Sequence, residues 1–89
     1  MTKANGHDYL GAVREYTAAI DAPDCPNDVK GMATYNRALA YAAMDQDEKA
    51  ADDLAAMLKM PGLPESIKTQ ARMRRERIRR RSDTSKNPE

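Results

Sequence analysis

The chain of 89 residues has room for one small domain, and its 15 basic and 14 acidic side chains nearly cancel, which excludes disorder driven by high net charge. Fifteen alanines stand against no Trp and no Phe, so large apolar area is scarce and closely packed helices are the expected solution. One cysteine and one histidine exclude a disulfide framework and any zinc site built from several such ligands.

Residues 1–25 lack the apolar core of a signal peptide, and no stretch approaches the roughly 18 apolar residues that span a bilayer. A soluble, cytoplasmic chain without membrane contact is expected. Residues 1–7 read as a disordered lead. Asp8 opens a first helix over about 8–22 by capping free N–H groups, and Val13, Tyr16, Ala19 and Ile20 recur at helical spacing before Pro23 stops it. A second helix, about 26–44, starts at Pro26, whose missing N–H would be unpaired there, with Asp28 complementing the positive helix end.

Asp45 is the expected cap of a third helix over about 46–60. In it Ala50, Ala51, Leu54, Met57 and Leu58 form the buried stripe, Asp52, Asp53 and Lys59 face outward, and Pro61-Gly62 ends the helix. The fourth helix, about 64–81, starts at Pro64-Glu65. It places Ile67, Ala71, Arg74 and Ile78 on one face and Arg72, Glu76 and Arg80 in a ladder of alternating sign. Residues 82–89 read as a disordered polar tail. Nothing alternates with period two, so the fold class is all-α, four antiparallel helices in one domain, 8–81.

Sliding the chain against itself by 38 residues aligns Ala12 with Ala50, Ala18 with Ala56, Ile20 with Leu58, Pro23 with Pro61, Pro26 with Pro64, Val29 with Ile67, Lys30 with Lys68 and Ala33 with Ala71. A period in this range, with prolines at the same phase, marks stacked units of two helices joined by a turn.

The stretch Asn36-Arg37-Ala38-Leu39-Ala40-Tyr41, then Asp45 to Ala51, then Leu54, Met57, Leu58 and Pro61 resembles a tetratricopeptide repeat over about residues 31–61. Ala38, Tyr41, Ala50, Leu54 and Pro61 fill the family's small, tyrosine, alanine, apolar and proline positions. Residues 8–23 look like the second helix of a preceding repeat and 64–81 like the first helix of a following one, so the chain reads as a piece of a longer repeat protein or as a unit that self-associates through exposed helix ends. Thr34 stands at the family's aromatic position, Ala38 at its glycine, and the period is 38 rather than about 34. The resemblance implies a non-enzymatic scaffold holding a peptide or helix of a partner protein in a groove, with Met32, Tyr35, Asn36, Leu39, Gln70 and Arg74 as its candidates. Asn36 and Arg74 match two positions of the family's carboxylate clamp, while Gln70 departs from its lysine.

Charge is uneven along the chain. Residues 1–63 carry six basic and ten acidic side chains, and residues 64–89 carry nine basic and four acidic. Arg72, Arg74, Arg75, Arg77, Arg79, Arg80 and Arg81 crowd into ten positions, a density that suits phosphates or an acidic protein. Glu76 at its centre and the absence of interleaved aromatics argue against nucleic acid, which stays the alternative partner. Self-pairing with Asp47, Glu48, Asp52 and Asp53 of another copy is a further expectation.

No catalytic constellation emerges. His7 has only Asp8 as a neighbour, and Cys25, aligned with Leu63, reads as a small hydrophobe packing a turn. The run from Asp45 to Ala50 begins like a calcium loop but has Ala50 where the turn glycine is needed and Lys49 at a ligand position. The four glycines are isolated, and the methionines read as core filler, so no metal or cofactor is expected.

Overall fold

The computed structural model describes the backbone of residues 8–86 and the side chains as far as Arg81, and among these residues it is entirely helical with turns between. Helix α1 spans Tyr9–Asp21, α2 Asn27–Ala43, α3 Asp47–Leu58 and α4 Glu65–Lys86. The expected lead, 1–7, and the end of the expected tail, 87–89, lie outside the described residues. Helix α4 runs past the expected end at 81, because Ser82 to Lys86 hold neither glycine nor proline to stop it.

Asp8 caps α1, its Oδ1 accepting from the Gly11 N–H at 2.9 Å. Pro26 lies one residue outside α2, with extended backbone, and its carbonyl accepts from the Lys30 N–H at 2.8 Å. Asp45 does not cap α3. The turn between α2 and α3 has only three residues, and Asp45 sits in it with φ of 61°, in the left-handed region. There its N–H reaches the Ala42 carbonyl at 3.0 Å and that of Gln46 reaches Tyr41 at 2.9 Å, which closes the end of α2 in the Schellman pattern. Gln46 is the residue before α3 and makes no side-chain cap, so Asp47 and Glu48 in the first turn complement the positive helix end instead.

Consecutive helices pack on one another. Gly31, early in α2, lies against Leu63, just past α3, and Asp47, opening α3, pairs with Arg81, late in α4. Both contacts are compatible with antiparallel neighbours. Ala38, Ala50, Leu54, Met57 and Ala71 have no exposed surface, and Tyr35, Leu63 and Ile78 join them in one core. The alanines let α2, α3 and α4 approach closely, while Leu54 and Met57 fill the space between them and stabilise the fold by about 1.5–3 kcal/mol each. A Cβ on Gly31 would lie 2.5 Å from Leu63 Cδ2, so a side chain here would force Leu63 out of its seat against α2.

Asp53 corrects the sequence reading. It is buried at 7% exposure, facing α2, where its two oxygens accept from Arg37 Nε at 2.8 Å and Nη2 at 2.7 Å. Arg37 Nη1 donates to Thr17 Oγ1 of α1 at 2.9 Å, so one guanidinium ties three helices. Tyr41 lies under both Arg37 and Lys49, whose charges stand 5.8 and 5.7 Å from its ring centre. The hydrogen bond to Asp53 holds Arg37 above its ordinary value against the opposing pull of burial.

The sequence repeat is present in the backbone. Helices α1 and α3 start at 9 and 47, and α2 and α4 at 27 and 65, each pair 38 residues apart. The closing bonds recur with the same shift: Ala22 N–H to Ala19 carbonyl becomes Met60 to Met57, and Lys30 to Pro26 becomes Lys68 to Pro64.

Candidate functional site

The groove candidates fall on two sides of α2. On the α4 side, Tyr35, Gln70 and Arg74 line one hollow with Met73 and Arg77. Next to it, Leu39 and Ala42 face Arg74, Arg77, Ile78 and Arg81 across a narrow cleft. Arg74 and Arg77 border both, so the two hollows form one groove between α2 and α4. On the α1 side, Asn36 and Leu39 line a separate hollow with Tyr9, Ala12, Tyr16 and Ala43. Asn36 therefore does not share a hollow with Arg74, and Met32, which is exposed, borders none of these three.

Tyr35 belongs to the core, and its hydroxyl donates to Gln70 Oε1 at 3.2 Å. The two candidates thus satisfy each other across the groove wall and fix the spacing of α2 and α4 at that point. Helix α4 is held to the core by Ala71 and Ile78, two turns apart, which leaves the intervening residues to line the groove or face solvent.

The arginines of α4 are all exposed but are not equivalent. Arg72 approaches Glu65 at 3.9 Å, Arg79 and Arg80 share Glu76 at 2.9 and 3.8 Å, and Arg81 pairs with Asp47 at 2.6 Å. The expected ladder is therefore present on one side of Glu76, while Arg72 turns back toward Glu65. Among the described residues Arg74, Arg75 and Arg77 have no ion-pair partner. Two of these three line the groove, above a floor of Leu39, Ala42 and Ile78. Of the acidic residues Asp47, Glu48, Asp52 and Asp53, Asp47 and Asp53 are already engaged within the chain by Arg81 and Arg37.

Arg77 and Arg81 as groove residues are absent from the sequence-based groove set, although the 38-residue shift places Arg77 at the position of Leu39. That shift would have drawn in Arg77, whereas Arg81 falls at Ala43 and carried no such signal. Asp53 had its own signal: Ala50, Asp53, Leu54 and Met57 follow one helical stripe, and a carboxylate inside it demands a cation opposite. Among the described residues no three His, Cys, Asp or Glu side chains group so as to hold a metal ion, and no helix is long and apolar enough to cross a membrane. His7 lies outside the described residues, and Cys25 is half-buried in the turn between α1 and α2.

No family model, curated protein or solved structure matches the chain.

Proposed function

We propose that the chain is a non-enzymatic, tetratricopeptide-like interaction module whose groove between α2 and α4 takes an acidic segment of a partner protein. The observation that carries the reading is the pairing pattern of the arginines. Among the described residues Arg74 and Arg77 stand over the apolar floor of the groove without an ion-pair partner, while Arg72, Arg79, Arg80 and Arg81 have acidic neighbours within the chain. A guanidinium beside an apolar strip suits a peptide that alternates carboxylates with aliphatic side chains, because each carboxylate can be held by paired N–H donors. The tetratricopeptide-like stack is supported by the 38-residue recurrence of helix starts and by the fully buried Ala38, Ala50 and Leu54 between α2 and α3. Such a module, with a single unpaired cysteine, suits the reducing cytoplasm.

The runner-up, electrostatic binding of nucleic acid, draws on the exposed outer face of α4, where Arg72, Arg77 and Arg80 border a further hollow with Glu76. The test is an amide-proton titration of the labelled protein with a synthetic Glu/Leu peptide and, separately, with a single-stranded RNA oligonucleotide, at low and physiological salt. The groove reading expects shifts along Tyr35, Leu39, Gln70 and Arg74, with affinity lowered about tenfold or more by Arg74→Ala with Arg77→Ala. Tighter binding of RNA with a steep salt dependence, mapped to the outer face, would overturn it in favour of the runner-up.

A further inference from the structure

The repeat relates α1 to α3, yet among the described residues no helix stands to α1 as α2 stands to α3. The hollow lined by Tyr9, Ala12, Tyr16, Asn36 and Leu39 lies at that position. Its counterparts one period on, Asp47, Ala50, Leu54, Arg74 and Arg77, are where α2 seats against α3 and α4. A helix equivalent to α2 therefore fits the hollow, and the helix equivalent to α2 by sequence and by backbone is α4.

We propose that the chain associates head to tail, α4 of one copy seating in the hollow on α1 and α2 of the next. The internal contacts say what such a seat requires. Arg37 of α2 grips Asp53 of α3, and one period away these positions are Arg75 on α4 and Glu15 on α1, opposite charges that are both exposed. Neither has an ion-pair partner among the described residues. Thr17, which supports Arg37, is replaced by Ala55 at the corresponding place beside Arg75, so among the described residues no hydroxyl of that kind holds Arg75. Tyr35 of α2 meets Gln70 of α4, and the shifted pair is Met73 of one copy against Met32 of the next. These are two of the large apolar side chains left exposed, at 60% and 41%. Charge and apolar complementarity thus coincide at two of the contacts the repeat specifies.

The fully buried Ala38 becomes Glu76 in this register, which widens the crossing and makes the contact weaker than the internal one. Because the two surfaces differ, the contact does not close on itself and extends into linear chains rather than a symmetric dimer. It takes up Met73 and Arg77, which also border the groove between α2 and α4, but it is argued from the repeat and does not depend on the groove reading.

Sedimentation of the full chain up to millimolar concentration tests this. The expected result is concentration-dependent growth beyond a dimer. Glu15→Arg and Arg75→Glu each lower the association constant by about tenfold or more, and the double variant regains it, because only the charge swap restores an attractive pair. In a Cys25→Ala background, mixed Met32→Cys and Met73→Cys proteins are expected to form the 32-to-73 crosslink in preference to either homodimer, a readout insensitive to weak affinity. A monomer at every concentration with no preferred crosslink, or association unchanged by either charge reversal, overturns the proposal. The first outcome would leave the α1 hollow to a helix from elsewhere.

Discussion

Replacing Asp53 by alanine is the sharpest test of how this small fold is held together. The substitution removes both acceptors from Arg37 and leaves a guanidinium with only Thr17 and the face of Tyr41. Breaking a buried pair costs about 3–5 kcal/mol. The Arg37 side chain keeps 19% of its surface in contact with water, so part of its charge is rehydrated in the variant, and about 2–3 kcal/mol is the expected loss. For a domain of this size that corresponds to roughly 10–20 °C in Tm. Asp53→Asn, which keeps one acceptor, should lose about half as much. The double variant Arg37→Met with Asp53→Leu should return to within about 1 kcal/mol of the parent, because it leaves no unpaired charge in the interior. Urea unfolding followed by circular dichroism at low temperature measures all four proteins. Since the folded-state value of Arg37 is raised, the contribution is fully present at neutral pH and disappears only as pH rises through that raised value in strong alkali. A loss below about 0.5 kcal/mol for Asp53→Ala, the scale of an exposed pair, would refute the view that this contact is a tie between three helices.

Asp45→Gly should stabilise the chain by about 0.5–1 kcal/mol, because glycine occupies φ of 61° without strain, and the urea midpoint should rise at unchanged slope. Gly31→Ala should destabilise by about 1–2 kcal/mol despite alanine's better helix propensity. Its Cβ meets Leu63 Cδ2 at 2.5 Å and Cδ1 at 2.9 Å, and Leu63 is itself buried, so Gly31→Ala made on a Leu63→Ala background should cost less than on the parent in the same assay. Tyr35→Phe should cost about 0.5–1 kcal/mol and release Gln70, seen as new conformational averaging of the Gln70 side-chain amide in NMR spectra.

The helices are legible in the sequence because proline, glycine and a recurrent apolar spacing punctuate the chain at a constant interval. What escaped reading are residues whose role depends on a partner far along the chain. Asp53 looks like a solvated carboxylate until Arg37, sixteen positions earlier, is known to face it. Asp45 has the chemistry of a helix cap, yet the three-residue turn makes it the left-handed close of α2 instead. The groove was half visible. Tyr35, Leu39, Gln70 and Arg74 do border it, but Asn36 faces α1, and the division of the arginines into paired and unpaired sets depends on where Glu65, Glu76 and Asp47 come to lie.

The order of helix contacts has a kinetic consequence. Because extensive packing joins only helices that follow one another, most native contacts form between segments already close along the chain. Such a topology folds fast and needs no distant strand to find its mate. It also makes cooperativity uneven: α1 and α4 each lean on one main neighbour and can open separately, while α2 and α3 are gripped from both sides. The slowest-exchanging amides belong in α2 and α3, beside the guanidinium of Arg37. In such a chain the middle keeps time for the ends.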